Sequence, residues 1–149
     1  MLLKDKVCII VGAGSLRGIG YATAELFAEQ GAKVVLADLV MDEAMANSAG
    51  ELISRKTSQI SEVHGIKCDI CEIADCDSLI EEVVARYGKI DVLVNSAGMV
   101  KSQSFLAIAE DDYDQILDVN LKGTFNLCRS VLRYFSKQNN GTIVNIASV

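Results

Sequence analysis

A run of closely spaced glycines near the amino terminus has the residue types needed to hold a phosphate group. The run reads G-A-G-S-L-R-G-I-G from Gly12 to Gly20, and it follows an apolar segment from Lys6 to Val11. Glycine lets the backbone turn tightly and approach a ligand closely, because no Cβ intervenes. A helix over Tyr21 to Gln30 would direct its unpaired amides at the bound anion. The order of strand, glycine turn and helix predicts a site for a nucleotide diphosphate.

A carboxylate beyond this turn has the position to select the form of the nucleotide. Asp38 follows a second apolar run, Lys33 to Ala37, and lies about 20 residues past Gly18, as a dinucleotide fingerprint requires. An acid there can accept hydrogen bonds from both ribose hydroxyls, and its charge would repel a 2′-phosphate. Arg17 leaves an alternative open, because its guanidinium could pair with that phosphate or point into solvent. The sequence therefore predicts NAD in preference to NADP.

One histidine and three of the five cysteines have a spacing that could suggest a metal site. They form His64-x3-Cys68-x2-Cys71-x4-Cys76. Because Cys68 closes a predicted buried strand, these side chains need not converge, and we expect no metal. An odd number of cysteines, spread over predicted strands and helices, favours reduced thiols over a disulfide framework.

The composition favours a single domain over residues 1–149, with one core and an acidic surface. Half of the residues are hydrophobic, the net charge is −6 and the pI is near 4.7. These values argue against a nucleic-acid-binding protein, which normally has a basic face. Lys4, Asp5 and Lys6 interrupt the amino terminus before any long apolar run, so we expect no signal peptide, no membrane span and a cytoplasmic location.

Apolar runs alternate with helical stretches along the chain, which predicts an α/β fold. When helices join successive strands of one sheet, the strands pair in parallel and the connections are right-handed. The predicted strands cover Lys6–Val11, Lys33–Ala37, Glu62–Cys68, Ile90–Val94 and Thr142–Ile146. The predicted helices cover Tyr21–Gln30, about Asp42–Lys56, Asp75–Tyr87, and a long one that Asp111 or Asp112 could cap and that ends near Phe135.

Six sequence features together resemble the short-chain dehydrogenases/reductases over the whole chain. They are the glycine run, Asp38, Cys68-Asp69-Ile70, Asn95-Ser96-Ala97-Gly98, Asn120 and Asn145-Ile146-Ala147-Ser148. Their order and their placement on strands and helices make the combination far more specific than any single motif. The resemblance implies a Rossmann-type, doubly wound parallel sheet with strand order 3-2-1-4-5, lacking the family's carboxyl-terminal strands and helices. The longer glycine run and Val11, in place of a usual threonine, depart from the family pattern.

The resemblance also implies which residues bind the cofactor. The glycine turn would hold the pyrophosphate. The Asp69 carboxylate would accept a hydrogen bond from the adenine amino group, and Ile70 would lie against the adenine ring. Asn95 and the small residues after it would shape the floor beneath the ribose and nicotinamide. The residues implied in cofactor binding are Gly12, Ser15, Leu16, Arg17, Gly18, Ile19, Asp38, Asp69, Ile70, Asn95, Ala97 and Gly98.

Two further residues match catalytic positions of the family. Ser148 would hydrogen-bond the substrate oxygen, and Asn120 would interrupt regular helix bonding and bind a water in a proton path. The family moves hydride between nicotinamide and a carbonyl or secondary alcohol, using a Tyr-x-x-x-Lys pair that follows the serine. None of the four tyrosines here precedes a lysine by four residues.

Two hypotheses about function therefore stay open. The chain is the cofactor-binding portion of a longer oxidoreductase with a small-molecule carbonyl or alcohol substrate, or it is a catalytically inactive nucleotide-binding or partner-binding remnant. The last strand and the long helix would leave an apolar face uncovered, so we expect a homo-oligomer.

Overall fold

Strands and helices alternate throughout the computed structural model of the protein, which describes residues 1–57 and 62–148. The strands are Val7–Val11 (β1), Lys33–Asp38 (β2), Val63–Lys67 (β3), Val92–Asn95 (β4) and Thr142–Asn145 (β5). The helices are Ile19–Glu29 (α1), Glu43–Thr57 (α2), Ile73–Tyr87 (α3), Glu110–Leu117 (α4) and Thr124–Gln138 (α5). A π-helical segment, Asp118–Gly123, joins α4 to α5, and a 3-10 turn, Phe105–Ala107, precedes α4.

The strands form one parallel sheet in the order β3-β2-β1-β4-β5. This confirms the predicted Rossmann-type α/β fold and its strand order. All five residues of β1 are buried, as expected for a central strand covered on both faces. The chain leaves β1 towards β2 on one side and later returns to place β4 on the other. The order of the strands thus reverses between β1 and β4, where open parallel sheets bind ligands.

Two apolar clusters cover the two faces of the sheet. On one face, side chains of α3 and α5 pack with Ile9 and Leu93; on the other, side chains of α1 and α2 pack with Ile10 and Leu36. Neighbouring residues of β1 enter opposite clusters because successive strand side chains point to opposite faces. The helices therefore hold the sheet from both sides and fix the positions of the strand ends.

The start of the long helical region differs from the sequence prediction. The expectation that Asp111 or Asp112 caps this helix is wrong, because Ala109 occupies the cap position and α4 begins at Glu110. The carboxylate of Asp112 instead accepts hydrogen bonds from the side chains of Lys101 and Gln103. Acidic residues in a first helical turn interact favourably with the helix dipole without occupying the cap, so they mark a helix start only approximately.

Candidate functional site

A cleft of about 340 Å³ opens at the carboxyl ends of the strands, where the strand order reverses. Its volume lies within the range of pockets that hold small ligands. It is lined by Val11, Gly12, Ser15, Asp38, Leu39, Cys68, Asp69, Ile70, Cys71, Ser96, Ala97, Gly98, Met99 and Val119.

The first glycine of the turn lies where the ends of β1 and β4 approach each other. Gly12 has a φ of +87°, and a Cβ at this position would lie 2.3 Å from the amide nitrogen of Ala97. Both the left-handed backbone and this contact require glycine. The amide of Gly12 donates to the carbonyl of Ala37 over 2.8 Å, which also ties the turn to β2. The turn is thereby held against the carboxyl ends of β1, β2 and β4.

The carboxylate of Asp38 is fixed beside the glycine turn by backbone amides. Its Oδ2 accepts a hydrogen bond from the amide of Gly14 over 2.8 Å, and its Oδ1 accepts one from the amide of Val40 over 3.2 Å. Hydrogen bonds to a charged acceptor are stronger than those between neutral groups. A negative charge therefore stands at one edge of the cleft.

The loop after β3 forms a second wall of the cleft. Oδ1 of Asp69 accepts a hydrogen bond from the amide of Cys71 over 2.9 Å, and the amide of Asp69 donates to Oδ2 of Asp75 over 3.0 Å. Burial raises the pKa of the Cys71 thiol above its ordinary value, and the neighbouring Asp69 carboxylate adds to that rise. The Cys71 thiol therefore keeps its proton to a higher pH than a free thiol does.

Asn120 holds the wall of the cleft that follows β4. Its Oδ1 accepts a hydrogen bond from the amide of Met99, and its Nδ2 donates to the carbonyl of Met99, each over 2.8 Å. Asn120 lies within the π-helical segment, where regular α-helical bonding is interrupted. Its part in a proton path stays a prediction.

Asn95 lies beneath the cleft floor rather than in the lining. Its Nδ2 donates to Oδ1 of Asn145 over 2.7 Å and to the Cys128 sulfur over 3.5 Å. Within the described residues, its buried Oδ1 finds no hydrogen-bond partner. Ser148 is exposed just past the end of β5. Both residues lie at the carboxyl ends of neighbouring strands, on the side of the sheet where the cleft opens.

The structure brings together seven of the residues that the sequence assigns to the cofactor. Those that line the cleft are Gly12, Ser15, Asp38, Asp69, Ile70, Ala97 and Gly98. Leu16, Arg17 and Ile19 are exposed on the glycine turn and the start of α1, outside the lining of the described cleft. The amide of Gly18 donates to the carbonyl of Ser15 and closes the turn between them.

Sequence reasoning missed several residues that line the cleft. Leu39 and Met99 are each the residue that follows a predicted site residue, and Val119 precedes another. An apolar residue has no chemical signature of its own, so only its position next to a predicted site residue could have identified it. The sequence suggests Cys68 and Cys71 as possible metal ligands but not as cleft residues.

Neither a metal cluster nor a membrane span is found in the residues that the structure describes. No group of three or more His, Cys, Asp or Glu side chains in that part of the chain could hold a metal. His64 pairs instead with Glu82 over 3.0 Å, and the Cys76 thiol donates to the carbonyl of Ile70 over 3.6 Å. In the same described ranges, every helix is too short or too polar to cross a membrane.

The parallel sheet, the glycine turn after β1 and the acid that ends β2 define a Rossmann-type α/β protein. Residues 6–149 match the family model for short chain dehydrogenases. The chain belongs to this family of oxidoreductases.

Curated relatives match the whole chain. A 3-oxoacyl-(acyl-carrier-protein) reductase of Thermotoga maritima is 38% identical over 149 residues, and an uncharacterised short-chain dehydrogenase/reductase of Sinorhizobium fredii is 39% identical over 150. The chain spans 58% and 57% of the lengths of these two relatives.

Solved structures share the fold. A short chain dehydrogenase from Mycobacterium smegmatis superimposes with a TM-score of 0.88 at 32% identity, covering 99% of this chain and 60% of that one. A variant of the actinorhodin polyketide ketoreductase, solved with NADPH, has a TM-score of 0.83 at 29% identity, covering 97% and 53%.

Proposed function

We propose that the cleft binds NAD(H), and that the chain is the dinucleotide-binding part of an oxidoreductase acting on a small carbonyl or alcohol substrate. The observation that carries this proposal is the Asp38 carboxylate, held by the amides of Gly14 and Val40 beside the glycine turn. The cleft next to it lies where open parallel sheets bind nucleotides.

The glycine turn and the start of α1 would hold the pyrophosphate. Gly18 occupies the cap position of α1, and among the described residues no side chain caps it. The first amides of α1 are therefore available to phosphate oxygens, and the helix dipole favours a negative charge at this end. This gives Gly18 and Ile19 a role in cofactor binding although they lie outside the cleft lining.

The loops after β3 and β4 would bind the adenine, the ribose and the nicotinamide of the cofactor. Asp69 and Ile70 would contact the adenine, the carboxylate as acceptor for the exocyclic amine and the isoleucine against the ring. Ala97 and Gly98 would admit the ribose and nicotinamide because their side chains are small. Asn95, buried outside the cleft lining and bonded to Asn145 over 2.7 Å, would support this floor.

Charge favours NAD over NADP at this site. The Asp38 carboxylate would accept bonds from the ribose hydroxyls and repel a 2′-phosphate. Arg17, the candidate partner of that phosphate, is exposed and lies outside the lining of the described cleft. The NADPH in the polyketide ketoreductase supports a nicotinamide cofactor, whereas the choice of its form rests on Asp38.

Hydride transfer is the reaction we propose for the protein of which this chain is part. When bound, the nicotinamide would supply or accept the hydride. Ser148, at the open end of β5, would hydrogen-bond the substrate oxygen, and Asn120 would hold a water for proton transfer. The reductase activity named for the Thermotoga maritima relative supports a carbonyl substrate.

An inactive nucleotide-binding protein is the second candidate. The intact mass of the protein from its natural source would distinguish the two. A longer chain with a Tyr-x-x-x-Lys pair after Ser148 would support the oxidoreductase, and a mass of 16.0 kDa would support the inactive protein.

Thiol labelling tests the location of the cofactor. Cys71 lines the cleft, whereas Cys128 is similarly half-buried but lies outside the cleft lining. We expect NADH to slow the labelling of Cys71 by a maleimide and to leave the labelling of Cys128 unchanged, as read by peptide mass spectrometry. Equal labelling of Cys71 with and without saturating NADH would contradict binding in this cleft.

A further inference from the structure

Asn126 lies on α5, away from the cleft lining, but it contacts the backbone that forms one cleft wall. We propose that Asn126 is a positioning residue for the adenine end of the cleft, acting through the backbone of Ile70 and Cys71. The inference rests on the proposed nucleotide binding. Neither the resemblance nor the motifs of the sequence assign this residue a role.

The side chain of Asn126 bonds to the loop after β3. The residue is 5% exposed, and its Nδ2 donates to the carbonyl of Ile70 over 2.9 Å and to the carbonyl of Cys71 over 3.4 Å. A buried amide without such partners would be costly, so the helix and the loop are held together at this point. The Ile70 carbonyl also accepts from the Cys76 thiol, which fixes its direction further.

The same helical region receives the side chain of Ile70. A Cβ at Gly123 would lie 2.5 Å from two carbon atoms of the Ile70 side chain, so Ile70 packs directly on the Gly123 backbone. Gly123 precedes Asn126 by three residues, and the two positions share one helix face. Gly123 therefore holds the side chain of Ile70, and Asn126 holds its carbonyl.

This arrangement controls the wall that would contact adenine. Asp69 and Ile70 line the cleft, and the carbonyls of Ile70 and Cys71 follow directly. Without the amide donor, the loop can shift relative to α5, and the Asp69 carboxylate shifts with it. The adenine ring would then lose its contact with Ile70, and its exocyclic amine would lose its hydrogen bond to Asp69.

Ser130 provides a matched control on the same helix. It is 3% exposed, four residues beyond Asn126, and its hydroxyl donates to Oδ1 of Asp77 on α3 over 2.6 Å. Ser130 thus makes a buried polar contact of similar kind that reaches no residue of the described cleft. A purely structural role would make variants of the two residues behave alike.

The test uses calorimetric titration of the chain with NADH and with AMP, which carries only the adenosine end. We expect Asn126→Leu to weaken both ligands by about five- to tenfold, equivalent to one hydrogen bond, while Ser130→Ala stays within about twofold of the wild type. Asn126→Ser, which is too short to reach Ile70, replaces the leucine variant if that variant does not fold. Equal weakening by the Asn126 and Ser130 variants, or none by Asn126→Leu, would overturn the inference.

A readout without nucleotide separates this inference from the proposed function. Absence of binding by wild-type protein would defeat the proposed function and the role towards adenine, but it would leave open whether Asn126 positions the loop. In that case the rate of maleimide labelling at Cys71 tests whether Asn126 holds the loop, because a loop released from α5 exposes this thiol. Faster labelling in the Asn126 variant than in Ser130→Ala supports the positioning role, and equal rates reject it.

Discussion

We propose that the negative charge of one residue, Asp38, selects the form of the cofactor. Its carboxylate is anchored by two backbone amides and stands beside the glycine turn, where the ribose of a dinucleotide would lie. Removing the charge while keeping the side-chain shape separates electrostatic selection from loop geometry. Asn at this position retains an oxygen that can accept the bond from the amide of Gly14.

We predict that Asp38→Asn narrows the preference for NADH over NADPH by about tenfold, because repulsion of the 2′-phosphate is lost. Dissociation constants for both nucleotides give the ratio directly. Arg17→Ala is the matched control and should leave the ratio unchanged. The reverse pattern, with the ratio altered by Arg17→Ala and not by Asp38→Asn, would assign selection to the guanidinium.

At the scale of elements, Asn120 joins the π-helical segment to the loop after β4. We predict that Asn120→Ala lowers the free energy of unfolding by about 1–2 kcal/mol, since two hydrogen bonds to Met99 are lost, although Asn120 is exposed. Urea denaturation measures the change. Val100→Ala is the neighbouring control, because this side chain is 89% exposed in the loop that Asn120 contacts. Equal stability of the two variants would mean that the contact with Met99 contributes nothing.

Asp91 connects the starts of three strands. Its Oδ2 accepts from the amide of Val7 over 2.9 Å, and its carboxylate pairs with the ammonium groups of Lys6 and Lys89 at the same distance. Its own carbonyl accepts from the amide of Thr142. Burial alone would raise the pKa of Asp91, but the hydrogen bonds from Lys6, Val7 and Lys89 outweigh it and lower the pKa below its ordinary value of 3.8.

The lowered pKa sets the sign of a pH dependence. A carboxylate with a lower pKa in the folded state stabilises the fold above pH 3.8, and this contribution is lost as pH falls through the folded-state pKa. We predict that Asp91→Asn costs about 1–3 kcal/mol at pH 7 and that the difference from wild type shrinks below pH 3.8. Urea denaturation between pH 7 and below pH 3.8 measures the difference in unfolding free energy between Asp91→Asn and the wild type. A difference that does not vary with pH would contradict an ionic contribution of Asp91 to stability.

The sequence predicts the strands well because each is a short apolar run bounded by glycine or charged residues. Site residues that directly follow these runs, such as Asp38 and Asp69, could be placed for the same reason: parallel strands end at one edge. The cap of α4 could not be predicted, because the Asp112 carboxylate bonds to the side chains of Lys101 and Gln103 instead. The partner of Asn126 could not be predicted because Ile70 lies 56 residues away in sequence, and local patterns do not record such contacts.

At the scale of the whole molecule, apolar side chains are exposed along the region from α4 to β5. Leu121 and Phe125 are 66% and 59% exposed and lie four residues apart, and β5 is an edge strand with Val144 40% exposed. Such a surface and an open edge favour association. We propose that a second copy of the chain covers it.

We predict that Phe125→Lys shifts the protein towards monomer in sedimentation velocity at equal concentration, because the charge would have to be buried in the contact. Leu26→Lys is the control, since Leu26 is 54% exposed on α1, on the other face of the sheet. Wild-type protein that sediments as a monomer at all concentrations would contradict the proposed association.

Calorimetric titration of the wild-type chain with NADH and NADPH tests nucleotide binding in the cleft most directly. We predict saturable binding of NADH with one site per chain and binding of NADPH weaker by about tenfold or more, because Asp38 places a negative charge beside the glycine turn. Folded protein that binds neither nucleotide would contradict the proposed function.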